Sequence, residues 1–300
     1  MQTIFITGAT SGIGRCAALY LASRGHHVIA SGRKADALAE LAAEATARGN
    51  RLDVIRLDVT DRASIEAARA EAERLTEGRG VDALINNAGY GHAGPTAETT
   101  DEQIRRQFET NVFGLMALTR AFLPQIVARR GRILNVSSIG GRVTFPFFGV
   151  YNASKYAVES LSDALRVELA AFGVRVVLIE PGPIRSQFSD TAVSAVKQHG
   201  DPASPYAAVF ERADALKEMA DKQSADPIVV ARAMERALTA RRPRARYIAP
   251  FSSKILLAAL KLMPVALSDA IMRRLTGLTR AGLRLPAEKG CASRLLPRRA

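Results

Sequence analysis

Cysteine is nearly absent from the chain: Cys16 and Cys291 stand alone and far apart, which suggests neither a disulfide framework nor a zinc ligand set. A scaffold stapled for an oxidising compartment is therefore excluded, and thiol redox chemistry has no evident dithiol to work with. Histidine is equally scarce. His26 and His27 sit at a helix-to-strand turn, while His92 and His199 fall singly in loops, so no metal set is expected. The opening MQTIFITG runs straight into an apolar strand pattern, without a basic leader, a long apolar core or a small-residue cleavage site. The expectation is a cytoplasmic protein. Acidic residues are missing from one region in particular: residues 241–300 hold 14 Lys and Arg against 2 Asp and Glu, whereas residues 1–240 hold 28 against 27. The net charge of +13 thus lies almost wholly in the last fifth of the chain. A uniformly basic fold would suggest nucleic acid, but a neutral body with a basic tail suggests a local contact. No aromatics interleave with the tail's cations for base stacking, so no nucleic-acid partner is expected.

What is present is 300 residues at 48% hydrophobic and 24% charged, enough for a full core with room for an appendage. An apolar strand at 2–6 meets TGATSGIG at 7–14, before an apolar-periodic helix from Cys16 onward. Strand, glycine turn and helix is the context in which glycines cradle a phosphate. Gly8 permits a tight turn, Gly12 permits close approach of a pyrophosphate, and Gly14 lets helix and strand pack, with the helix N-terminus aimed at the anion. The spacing is G-x-x-x-G-x-G and not G-x-G-x-x-G, so a purely structural turn stays open at this point. The second strand, 27–31, is followed by Gly32 and Arg33. An acid there would accept from a ribose 2'-hydroxyl, whereas an arginine can grip a 2'-phosphate through a charge-assisted fork. NADP(H) is accordingly favoured over NAD(H).

Further strands are expected at 52–57, 83–86, 132–136, 174–179 and 245–249, with helices at 35–48, 62–76, 101–129 and 150–172. This alternation predicts an α/β chain: a three-layer, doubly wound parallel sheet of the Rossmann type over 1–250, with a C-terminal helical basic extension over 251–300. The marked residues collect at strand ends: Asp58, the NNAG run ending in Asn87, Ala88 and Gly89, then Ser137 and Ser138, then Pro181 and Gly182. Ligands in open α/β sheets bind outside those ends.

YNASK, at 151–155, carries the chemistry. Tyr151 and Lys155 at i and i+4 share one helix face, so an ammonium can lie beside a phenol and favour its ionised form. An unperturbed tyrosine has a pKa of about 10, so work near neutrality needs a shift of roughly 3 units, or ~4 kcal/mol. Lysine alone strains to supply that. A second positive charge, such as an oxidised nicotinamide ring, brings it within reach.

TGATSGIG, LDVTD, NNAG, Asn111 in ETNVFG, NVSS ending in Ser138, YNASK and EPGPIRS together resemble the short-chain dehydrogenase/reductase family, over roughly residues 1–250. Ser138 precedes Tyr151 by 13 residues, a separation usual in that family. The resemblance implies that Tyr151 exchanges a proton with the substrate oxygen while Ser138 hydrogen-bonds it. It implies that Lys155 holds the nicotinamide ribose and lowers the tyrosine pKa, and that Asn111 keeps a relay water. Gly8, Ser11, Gly12, Ile13 and Gly14 would line the pyrophosphate turn, and Asp58 and Val59 the adenine. Asn87, Ala88 and Gly89 would face the adenine ribose, and Pro181, Gly182 and Ile184 the nicotinamide. Two departures stand out. Ser186 replaces a common threonine, and Ser11 holds a place where some NADP-preferring members carry a base.

The subgroup most resembled contains 17-beta-hydroxysteroid and retinol dehydrogenases, through SGR, FGVYNASKYAVESLSDALRVEL and EPGPIRS. Apolar residues between 187 and 226, among them Phe188, Val193, Val196, Tyr206, Val209, Phe210, Leu216 and Met219, suit helices closing over a pocket. With Phe145, Phe147 and Phe148 they imply a hydrophobic alcohol and its ketone or aldehyde. The alternative is an NADPH-sensing regulator on the same fold, which would have no need of the proton-transfer residues. In the extension, FSSKILLAALKLM is broken by Lys254 and Lys261 and stopped by Pro264, too short and charged to span a bilayer. It suits peripheral association with an anionic membrane, or packing on the body or on a second copy in a homo-oligomer.

Overall fold

The computed structural model describes residues 1–185, 204–211, 218, 221–222, 224–279 and 283. Among these, seven parallel strands form one sheet in the order β3-β2-β1-β4-β5-β6-β7. They are β1 Thr3–Ile6, β2 His27–Gly32, β3 Leu52–Arg56, β4 Ala83–Asn86, β5 Arg132–Val136, β6 Arg175–Pro181 and β7 Arg246–Ala249. The longer helices are α1 Gly12–Ser23, α2 Ala35–Ala47, α3 Arg62–Leu75, α4 Asp101–Phe108, α5 Leu115–Ala128, α6 Gly149–Glu168, α7 Ile228–Thr239, α8 Phe251–Leu262 and α9 Val265–Thr276.

Runs such as RILNV and RVVLIEP lack a polar face because helices cover the sheet on both sides. Strand alternation assigns each side chain to a layer. Ile4 and Ile6 join α1, α2 and α7 in one core layer, while Phe5, between them, joins α3 and α5 in the other. The winding reverses between β1 and β4, and the crevice opens at their carboxyl ends. The helical run Asp101–Ala128 is long and apolar enough to cross a membrane by composition, yet α5 packs on α3 and β4 as a wall of this core.

Two features differ from the sequence-based expectation. The helix expected over 101–129 is interrupted by a π-helical segment, Glu109–Gly114, which carries Asn111. Gly114 explains how closely this segment approaches its neighbour: a Cβ there would lie 2.6 Å from the Val59 carbonyl oxygen. Helix α6 ends at Glu168, short of 172, and a 3-10 turn, Ala170–Phe172, leads into Gly173 at φ 77. The extension is a pair of helices parted at Pro264. Ser186, Phe188, Val193, Val196, His199, Leu216, Met219, Cys291, Arg298 and Arg299 lie outside the described residues.

Candidate active site

The glycine turn between β1 and α1 is built as a cradle. Gly8 and Gly12 take φ values of 66 and 51, in the left-handed region that favours glycine. A Cβ on Gly14 would lie 2.2 Å from the Gly8 carbonyl oxygen, so helix and turn meet only because that residue lacks one. Ser11 is the N-cap of α1 but makes no side-chain cap, and no acid occupies the first turn, which leaves the helix start suited to an anion. The turn is braced from β4. Thr7 Oγ1 accepts from the amides of Asn87 and Ala88 at 3.0 and 2.9 Å, and Asn87 Nδ2 donates to the carbonyls of Thr7 and Gly8 at 2.9 and 3.2 Å. The Asn87 amide expected at the adenine ribose is therefore engaged in holding the glycine turn.

At the next two strand ends, the Leu57 amide donates to Gly32 at 2.8 Å, which sets Arg33 and Asp58 side by side. Burial pushes the Asp58 carboxyl upward, but hydrogen bonds from Thr60 and the Arg33 charge outweigh it and hold it below its usual value. Arg33 is exposed and Val59 is buried. A glycine-shaped anion cradle at the start of α1 fits the pyrophosphate of a dinucleotide.

Ser138, Tyr151, Lys155 and Asn111 converge beyond β5. Ser138 caps a 3-10 turn, Ile139–Gly141, its Oγ accepting from the Gly140 amide at 3.0 Å. That bond leaves the hydroxyl hydrogen on the side of Tyr151. A Cβ on Gly140 would lie 3.3 Å from Ser138 Oγ and 3.4 Å from Tyr151 Cε1, so this glycine lets the two side chains come together. Lys155 is 6% exposed; its Nζ donates to the Val136 carbonyl at 2.8 Å and lies 5.9 Å from the Tyr151 ring centroid.

Burial pushes Tyr151 up to about 12, opposed by its hydrogen bond with Ser138, and pushes Lys155 down to about 8, opposed by the Glu159 charge. The expected lowering of the tyrosine by Lys155 does not occur in the protein alone. Desolvation dominates both groups, and the ammonium points its proton at a backbone carbonyl.

Asn111 is 1% exposed. Its Nδ2 donates to the Tyr90 carbonyl and to Ser154 Oγ, each at 3.0 Å, and its Oδ1 accepts from the Tyr90 amide at 3.1 Å. It ties the loop after β4 to α6, so the side chain expected to keep a relay water has both amide hydrogens on protein partners. Gly89 lies between Asn111 and Lys155, 3.0 Å and 3.6 Å from a built Cβ.

Aromatic rings wall the outer side. Phe148 meets Tyr151 edge-on at 6.3 Å, and Phe147, at φ 65, meets Tyr206 and Phe210 at 6.0 and 6.1 Å. Ile184 bridges to Ala225, and Gly182 carries the extension: a Cβ there would lie 1.8 Å from Ser253 Oγ of α8. Sequence reasoning missed Ser154, Gly140 and a buried chain from Thr119 through Asn86 and Asn135 to Ser162, with links of 3.0, 2.9 and 2.9 Å. Spacing could have flagged Ser154, which sits beside Lys155 in YNASK. The others are visible only in three dimensions.

The chain matches the family model described as short chain dehydrogenase over residues 2–197. Retinol dehydrogenase 16 of Homo sapiens is 36% identical over 282 residues, spanning 90% of this chain and 87% of that protein. An NADPH-dependent 3-dehydrocapnine reductase of Ornithobacterium rhinotracheale is 32% identical over 276 residues, spanning 90% and 96%. Among solved structures, a short chain dehydrogenase/reductase from Burkholderia phymatum in complex with NAD has a TM-score of 0.75 at 26% identity, covering 86% of this chain and 92% of that one.

Proposed function

Because the chain belongs to the short-chain dehydrogenase/reductase family, oxidoreductases that use a nicotinamide dinucleotide, we propose that it interconverts a hydrophobic alcohol with its ketone or aldehyde using NADP(H). The observation that carries this reading is the convergence of Ser138, Tyr151 and Lys155 beside a glycine cradle and under an aromatic wall. A basic residue at the NADP-discriminating position favours the phosphorylated cofactor, and one relative is named NADPH-dependent.

A dinucleotide held by Gly8, Ser11, Gly12 and Gly14 would supply the hydride chemistry at the reacting carbon. Ser138 donates its hydroxyl hydrogen to the carbonyl oxygen and fixes its position. Tyr151 gives its phenolic proton to that oxygen as the new C–H bond forms, and takes it back in the oxidative direction. The Lys155 ammonium stabilises the tyrosinate so produced. Exclusion of water by Phe147, Phe148 and Phe210 strengthens each of these contacts. The test is NADPH oxidation across aliphatic ketones, aldehydes, retinoids and steroids. Turnover is expected with large apolar carbonyls; activity confined to small polar ones would reject the substrate class.

The reading includes peripheral attachment to an anionic membrane through 251–300. Phe251, Leu262, Val265 and Leu275 are 72%, 87%, 74% and 65% exposed, among Lys254, Lys261, Arg273 and Arg274, with Asp269 the one acid in α8 and α9. Such a face suits lipid headgroups better than a second copy, whose cations would meet these. It also adjoins the site, since Ser253 packs on Gly182 and Gly277 lies near Val209. Each basic residue near anionic lipid contributes ~1 kcal/mol, so four give about 4 kcal/mol, or roughly a thousand-fold in partitioning. The full chain is expected to sediment with anionic vesicles at low salt, and a variant with these four residues changed to Glu is not. Equal binding to neutral and anionic vesicles, or none at low salt, overturns the attachment.

A further inference from the structure

Behind the reacting groups, four segments meet on a cluster of buried charge. Glu180, 0% exposed near the end of β6, accepts from Arg142 at 3.1 Å and faces Arg246 Nε at 3.1 Å. Arg246, the first residue of β7, also reaches Glu159 at 3.1 Å and Asp163 at 2.5 Å, both on α6. Arg166 pairs with Asp163 from the exposed side at 3.1 Å. Arg142 follows the Ser138 turn, and Gly141 permits the approach: a Cβ there would lie 2.9 Å from the Lys155 carbonyl oxygen and 3.0 Å from Glu159 Cγ.

Glu159 is 6% exposed and stands four residues after Lys155, one turn along the same face. Ion pairs buried this deeply persist only when charges balance, because an unpartnered buried charge costs several kcal/mol. Lys155 has a neutral hydrogen-bond partner, the Val136 carbonyl, so its balancing charge must come from elsewhere. Tyr151 is a neutral phenol at working pH. Burial and the neighbouring Glu159 raise Glu180 to about 7, and its oxygens are engaged by Arg142 and Arg246. Asp163 lies a further turn away and is shared by Arg246 and Arg166. Burial also pushes Glu159 upward, against which Ser137, Arg246 and Arg142 favour its ionised form.

We propose that Glu159 is a positioning residue for Lys155: its carboxylate, held one helical turn away by Arg246, is the counter-charge that keeps the buried lysine an ammonium. The catalytic significance of this rests on the oxidoreductase reading; the electrostatic coupling itself does not. Arg246 holds the Glu159 carboxylate from β7 and also faces Glu180, which Arg142 of the Ser138 turn engages, so the same cluster that charges Lys155 also sets α6 against β6, β7 and that turn.

The test is the pH titration of the lysine side-chain methylene resonances in isotopically labelled full chain, with Lys155 assigned by the signal lost in Lys155→Met. In Glu159→Gln the Lys155 titration is expected to move down by about one pH unit, and in Glu159→Asp by less in the same direction. Asp163→Asn, which removes another partner of Arg246 without facing Lys155, should leave it in place. The alkaline limb of the turnover profile should move with the titration. An unmoved Lys155 titration in Glu159→Gln overturns the proposal, as does an equal movement in Asp163→Asn. If Glu159→Gln does not fold, an unmoved titration in Glu159→Asp decides the same way. Absence of turnover by the wild type would count against the oxidoreductase reading and leave the titration able to judge the coupling.

Discussion

Tyr151→Phe is expected to cut turnover by about 100- to 10,000-fold while leaving NADPH affinity nearly unchanged. The substitution removes one hydroxyl, and with it the transferable proton, but keeps the ring that packs edge-on against Phe148 at 6.3 Å. Lys155 still donates to Val136 and the glycine cradle is untouched, so dinucleotide binding has no reason to fail. With Tyr151 at about 12 in the protein alone, the phenol holds its proton until the substrate oxygen needs it, which suits the reductive direction. Steady-state rates with a good ketone, beside a fluorescence titration with NADPH, separate the two effects. Retention of more than about a tenth of the wild-type rate would remove Tyr151 from the proton-donor role.

Arg33→Glu is expected to reverse the cofactor preference. Arg33 is exposed at the end of β2, and its charge is felt at Asp58 and Tyr90, which places it beside the third-strand loop and the loop after β4. A charge-assisted hydrogen bond contributes about 1.5 to 3 kcal/mol, so this residue alone should give roughly a 10- to 150-fold preference for the 2'-phosphorylated form. Glutamate replaces that attraction with repulsion and offers an acceptor to a 2'-hydroxyl. Dissociation constants for NADPH and NADH in both proteins check it. Equal affinities in the wild type would show that Arg33 does not read the phosphate.

The parts of the site that depend on neighbours in sequence are legible in the sequence itself. The glycines of TGATSGIG must sit together because a tight turn admits no Cβ, and Tyr151 and Lys155 must share a face because the helix repeats every 3.6 residues. Strand runs such as LDVIR and RILNV, separated by amphipathic helices, leave little choice but a parallel sheet with ligands at its carboxyl ends. The helical character of the extension followed from the same local rules.

Contacts between residues far apart in the chain were decided by tertiary structure alone. No spacing rule joins Arg142, Glu159, Glu180 and Arg246, yet β6, β7, α6 and the Ser138 turn bring them within 3.1 Å of one another in pairs. The ETNVFG motif marks Asn111, but its setting reads in sequence as an unbroken helix, and the π-helical segment Glu109–Gly114 that carries it, with its bonds to Tyr90 and Ser154, belongs to the fold. The sequence determined which groups could exchange a proton, because chemistry belongs to residue type and short spacing. The fold decided how readily they do so: desolvation and the field of distant charges exist only once the chain has closed around them, and they set Tyr151 and Lys155 far from their values in water.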